Sequence, residues 1–189
     1  FMKYIFTEVL NDLVNYFFLG DMEALCEWKQ NQCLMDDLAT EFTSNNSIDQ
    51  AIEDGLVLPM EGIRNYPYTI IFDIEENQPT LLQKEHRLQF HYQNYYIKVE
   101  HQTLVLFTWH ILHHFTMDAV KHYMTQQKLY QKPIISLANG WYRISILGGE
   151  TLRNDIFEPT IEFVLDPIDQ PDIHQDMVYH TFAINSSSY

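Results

Sequence analysis

No run of about 18 apolar residues occurs in the chain, so no segment reads as a membrane-spanning helix. The start, Met2-Lys3-Tyr4, lacks the charged region, apolar core and small-residue cleavage site of a secretory leader. Met2 therefore reads as the natural start with Phe1 added before it, and a cytoplasmic location is expected. Cysteine is nearly absent. Cys26 and Cys33 fall seven residues apart in a stretch that reads as helix, two turns apart on one face and too distant for easy disulfide geometry. They read as buried free thiols, which agrees with a reducing compartment.

Glycine is also sparse, at six residues. Gly148-Gly149 lacks the spacing of a phosphate-cradling or dinucleotide loop, and Glu150 behind it would repel phosphate, so the pair reads as a turn. No Gly-x-Ser-x-Gly elbow is present and neither cysteine neighbours a histidine, which argues against covalent catalysis. Adjacent carboxylates such as Asp36-Asp37 and Glu75-Glu76 point to different sides of a helix and read as solvated.

The deficit that organises the chain is in basic residues: 11 Lys and Arg stand against 26 Asp and Glu, a formal charge of -15. Between residues 4 and 63, twelve Asp and Glu face Lys29 alone. Residues 77 to 149 are mildly basic through Lys84, Arg87, Lys98, Lys121, Lys128, Lys132 and Arg143. Residues 150 to 176, including Asp172 and Asp176, turn acidic again. Concentrated carboxylates repel one another, so such zones serve solubility or attract a cation-rich partner. The same field opposes nucleic-acid phosphate and disfavours direct DNA or RNA binding.

Against these shortages stand 12 Tyr, 12 Phe and 3 Trp in a composition that is 46% hydrophobic. That is too apolar for a disordered acidic chain, and 189 residues suffice for one domain with a sizeable core. The pattern predicts an α+β fold: N-terminal helices packed on a mainly antiparallel sheet with one further helix. Residues 1–65 read as the helical portion, 66–185 as the sheet-rich portion and 186–189 as a frayed tail.

Phe6, Leu10, Leu13, Val14 and Phe17 recur at helical steps up to Gly20. A second helix is expected from Met22 to Phe42, and a short one from the capping-box spacing at Ser47 to Gly55. Strands are expected over Tyr68–Ile74, over Leu88–Tyr92 and Tyr95–Val99 as a hairpin about Gln93-Asn94, and over Thr103–Phe107, extending toward Phe115. Thr116 caps a helix over Met117 to Leu129 that Pro133 prevents from continuing. Strands Trp141–Leu147 and Thr160–Leu165 follow. In the first of these, Tyr142, Ile144 and Ile146 form the core face, leaving Trp141 and Arg143 as interface candidates.

His110, His113 and His114, with His122 beyond, are the one concentration of transition-metal ligand types. His110 and His114 share a face in either a helix or a strand, but no Glu follows His110 as a zincin motif requires. They read first as packed histidines; a metal-dependent enzyme using His110, His114 and His122 is the alternative. An acidic adaptor, charged for solubility only, is the third reading.

The run Asn139-Gly140-Trp141-Tyr142-Arg143-Ile144-Ser145-Ile146-Leu147-Gly148-Gly149-Glu150, followed by Glu158 to Leu165, in an acidic, aromatic-rich chain of this size, resembles the cytoplasmic immunity proteins of bacterial contact-dependent and polymorphic-toxin systems. The resemblance is one of type, without a shared fold, and transfers no individual residue. It implies a non-enzymatic inhibitor without cofactor or bound metal that occludes a cognate protein toxin, often a basic nuclease. Glu23, Glu27, Asp36, Asp37 and Glu41 on the acidic helices, with Trp141 and Arg143, are the expected partner-binding residues.

Overall fold

The computed structural model describes residues 2–75, 78–171 and 180–189. Its elements form two sheets face to face, with four helices on the outer side of the smaller sheet. Fold class is therefore α+β, with mainly antiparallel sheets.

The larger sheet has five strands in the order β1-β4-β9-β8-β5. These are β1 (Met2–Val9), β4 (Pro67–Ile74), β9 (Ile156–Ile168), β8 (Gly140–Arg153) and β5 (Arg87–Val99). All its pairings are antiparallel except β4 with β9. The smaller sheet is antiparallel throughout, in the order β3 (Val57–Glu61), β2 (Tyr16–Gly20), β6 (Thr103–Thr108), β7 (Ile134–Ser136).

The smaller sheet is buried on both faces. Phe17, Leu19, Leu58, Met60, Leu104 and Leu106 enter the core between the sheets, while Phe18, Val57, Val105 and Phe107 enter the core under the helices. A strand with two apolar faces reads as an unbroken apolar run rather than as alternation.

That burial explains the main correction. Residues 1–65, expected to be helical, supply three strands as well as three helices. The helix-like spacing of Phe6, Leu10, Leu13, Val14 and Phe17 is accidental: Leu10 is buried in the intersheet core, Leu13 is fully exposed between strands, and Phe17 lies in β2.

The expected helix over residues 22–42 is two: α1 (Met22–Asn31) and α2 (Leu38–Ser44). Cys33 takes a left-handed φ of 54° after α1, and Asp37 caps α2 by accepting from Thr40 N at 3.2 Å. Cys26 is buried as expected, but Cys33 is exposed in the connection. α3 (Ser47–Glu53) forms with Asn46 at its N-cap and no side-chain capping bond.

The expected hairpin at Gln93-Asn94 is one continuous strand, β5, in which Asn94 takes a φ of 67° and the register shifts between Tyr92 and Tyr95. Gly148-Gly149 is not a turn but lies within β8. The stretch after β6 is a 3₁₀ helix over Trp109–His114 rather than more strand. α4 (Met117–Leu129) is as predicted, with the Thr116 hydroxyl accepting from Ala119 N, Asp118 in the first turn and Lys128 in the last. Tyr142, Ile144 and Ile146 form the buried face of β8, as the alternation requires.

Candidate functional site

α1 begins at Asp21, a buried carboxylate with two tasks. Oδ1 accepts from Ala24 N at 3.0 Å, capping the helix, and Oδ2 accepts from Glu100 N and His101 N at 2.8 and 2.7 Å. This fastens the start of α1 to the turn between β5 and β6. α3 and its C-cap Asp54 are followed by Gly55, whose carbonyl accepts from Lys98 N at 2.8 Å. Gly55 has a φ of 74°, and a Cβ there would lie 2.4 Å from the Trp141 ring. Only glycine fits that conformation and that approach at once.

Between these two anchorages lies an open cleft of about 790 Å³, walled by α1, α3 and the ends of β5 and β8. Glu27 and Trp28 come from α1, Glu53 and Asp54 from the end of α3, Lys98 and Glu100 from β5 and its turn, and Trp141 from β8. Among the described residues, the ionisable wall groups are four carboxylates and one ammonium. Lys98 Nζ is 3.1 Å from Glu100 Oε1 and 6.0 Å from the Trp141 ring centroid. Asp54 Oδ1 accepts from the Gln50 amide at 2.9 Å. The Trp28 indole N–H is buried without a hydrogen-bond acceptor among the described residues.

Behind the cleft, the His101 ring lies 3.0 Å from Glu27 and 3.5 Å from Glu23. Burial disfavours its charged form, but the Glu27 hydrogen bond and the charges of Asp21, Glu27 and Glu23 outweigh burial and raise its pKa. Two indoles among carboxylates suit a cationic side chain: the rings provide cation–π faces and apolar contact, and the carboxylates accept charge-assisted hydrogen bonds.

Of the expected partner-binding residues, the cleft brings together Glu27 and Trp141, distant in sequence, with Glu23 joined to Glu27 through His101. Asp36, Asp37 and Glu41 form a separate group at the α1–α2 connection. Asp36 pairs with Lys29, and that hydrogen bond and charge hold its carboxyl below the usual range. Asp37 caps α2 and lies 3.4 Å from His113, while Glu41 accepts from Met35 N and the Asn45 amide. Arg143 lies 3.8 Å from Asp166. Asp172, Asp176 and Glu76 lie outside the described residues.

Sequence reasoning passed over Trp28, Glu53, Asp54 and Glu100, and counted Lys98 with the basic residues of the middle segment. Trp28 reads as part of an apolar helical stripe, Glu53-Asp54 as an ordinary helix end, and Glu100 is submerged in the mildly basic middle. The one usable signal was Glu-Asp-Gly closing a short helix.

The histidine run falls on a 3₁₀ helix, where residues three apart share a side, so His110 faces His113, with ring centroids 6.3 Å apart, rather than His114. His110, His114 and His122 are exposed rather than packed. Among the described residues no group of three or more His, Cys, Asp or Glu has a geometry suited to a metal ion.

No protein-family model and no curated protein matches the sequence. Among solved structures, the chain is similar to ComJ from Bacillus subtilis, described as an inhibitor of the DNA-degrading activity of NucA. Identity is 11%, coverage 89% of this chain and 96% of that one, and the TM-score 0.46. It is also similar to the protein described as crocagin biosynthetic gene J, at 11% identity, covering 88% of this chain and 99% of that one, with a TM-score of 0.51. At this identity the second likeness is one of fold alone.

Proposed function

We propose that this chain is an immunity-type inhibitor that binds a cognate, basic, nuclease-like toxin domain through the acidic cleft and neutralises it by occlusion. The observation that carries the proposal is the cleft wall: among the described residues it holds Glu27, Glu53, Asp54 and Glu100 with two indoles, and Lys98 as its one ammonium. A lysine or arginine of the toxin enters between Trp28 and Trp141, and the neighbouring carboxylates complement the basic surface around it. Binding there covers the groove in which the toxin would hold an anionic substrate. Inhibition then needs no catalytic group, only shape and charge.

The test is growth of bacteria that express the gene neighbouring this one in its native locus, alone or with this chain. The proposal expects toxicity alone and rescue by the intact chain, with rescue abolished in a Trp141→Ala, Glu27→Lys double variant that still folds. A neighbour harmless in both settings, or full rescue by the double variant, rejects it.

A further inference from the structure

The outer face of the larger sheet, away from the smaller one, carries charges that alternation would assign to solvent. Glu162 lies between the core residues Ile161 and Phe163, and Asp73 follows the core residue Phe72, yet both carboxylates are 0% exposed. Lys3 on β1 is directly opposite Asp73, and Glu162 on β9 is opposite Ile71, two residues away on the same face. What covers them is the segment 78–86, which includes a 3₁₀ turn over Thr80–Leu82. Leu81 seals it onto the sheet against Leu147 and Val164.

The polar contacts of this cover converge on the same three groups. Thr80 N and Leu81 N donate to the two oxygens of Glu162, each at 2.9 Å. The Lys3 ammonium donates to the Thr80 hydroxyl at 2.7 Å and stands 3.2 Å from Asp73 and 3.7 Å from Glu162. Among the described residues the charged groups facing Asp73 are therefore Lys3 from β1 and Glu162 from β9; the covering turn contributes backbone amides and a hydroxyl. Among the described residues two shielded carboxylates share one ammonium, and the amides satisfy only one of them, Glu162.

We infer that Lys3, Asp73 and Glu162 form a protonation-controlled latch, which holds segment 78–86 against the sheet while Asp73 keeps its proton and lets it lift when that proton is lost. Burial raises the Asp73 pKa most, the nearby Glu162 raises it further, and Lys3 opposes both, leaving it at about 8. Loss of the proton puts a second negative charge into a dry site where the described residues offer neither amides nor an unshared cation for it. Admitting water relieves that charge, and water enters by displacing the Thr80–Leu82 turn from Glu162, Lys3 and the Leu81 contact, while the Leu152 N to His86 Nδ1 hydrogen bond of 2.9 Å holds the far end of the segment. The groove that opens further is the one of about 830 Å³ beside the turn, bordered by Thr80, His86, Ile71 and Thr151.

The test follows the full chain by NMR, reading the Asp73 carboxyl carbon and the exchange of the Thr80 and Leu81 amides from about pH 6 to about pH 10, corrected for base-catalysed exchange. The latch predicts that the Asp73 signal titrates in this interval and that both amides lose at least about tenfold in protection across it, whereas Asp73→Asn keeps them protected throughout. Glu162→Gln, which removes the second carboxylate, shifts the Asp73 titration downward. Titration of Asp73 near about 4, the ordinary carboxylate value, overturns the latch even if neither variant folds. Equal loss of protection in the Asp73→Asn chain also overturns it.

Discussion

A single buried cation braces the helical layer. Lys29 is 2% exposed and is the one base between residues 4 and 63. Its ammonium donates to the Phe115 carbonyl at 2.8 Å and pairs with Asp36, joining α1 to the approach of α2 and to the residue before the Thr116 cap of α4. Lys29→Met keeps the stem but leaves the Phe115 carbonyl without that donor, so a loss of about 1–3 kcal/mol is expected in urea unfolding. The pH dependence has a definite sign. Because Lys29 lowers the Asp36 pKa, the pair stabilises the fold above the unfolded value and loses that contribution as pH falls through the folded value. The variant should therefore show a flatter acid limb than the parent. Unchanged midpoints at both neutral and acid pH would refute this role. Nothing in the sequence marks Lys29 as buried, since an isolated lysine on an acidic helix reads as solvated.

At the scale of elements, legibility followed the number of apolar faces. α4 was readable to the residue because its Thr116 cap, acidic first turn and basic last turn all agree with its one-sided burial. β4 and β6 were readable from their β-branched and aromatic runs. β2 was not, because Phe17-Phe18-Leu19 serves two cores at once and its apolar run extended a chance helical spacing upstream. The β8 glycines were misread for a related reason. Gly148 and Gly149 signal a turn in isolation, but here they let β5 approach: a Cβ at Gly149 would meet the Arg87 carbonyl oxygen at 2.1 Å, and one at Gly148 the Phe90 ring at 2.1 Å. A backbone carbonyl in a ladder cannot step aside as a ring can. Gly149→Ala should therefore cost about 3 kcal/mol and Gly148→Ala about 1 kcal/mol, compared by denaturant midpoints. The reverse order would mean that the β5–β8 ladder, not the Phe90 ring, is the part that yields.

Across the whole molecule, charge asymmetry was legible and the cleft was not, because charge sums over sequence while a cleft depends on which distant segments meet. Glu27, Asp54, Lys98 and Trp141 become neighbours only through the Gly55 and Asp21 anchorages, which involve close backbone approaches that no local pattern records. The burial of Lys29 sharpens the asymmetry, since it withdraws the one base of residues 4 to 63 from the surface. A field of this kind acts at range and speeds encounter, whereas the indoles act only on contact and govern escape. The two contributions should separate kinetically. For a complex with the basic partner proposed above, the association rate should fall about tenfold or more between about 0.05 and 0.5 M salt, while dissociation changes little. Glu53→Lys with Asp54→Lys should lower the association rate at low salt and flatten its salt dependence; Trp141→Ala should leave association nearly intact and speed dissociation by about tenfold or more. Stopped-flow mixing resolves both rates. Association indifferent to salt would make the acidity a matter of solubility alone, and dissociation indifferent to Trp141→Ala would move the contact surface away from the cleft.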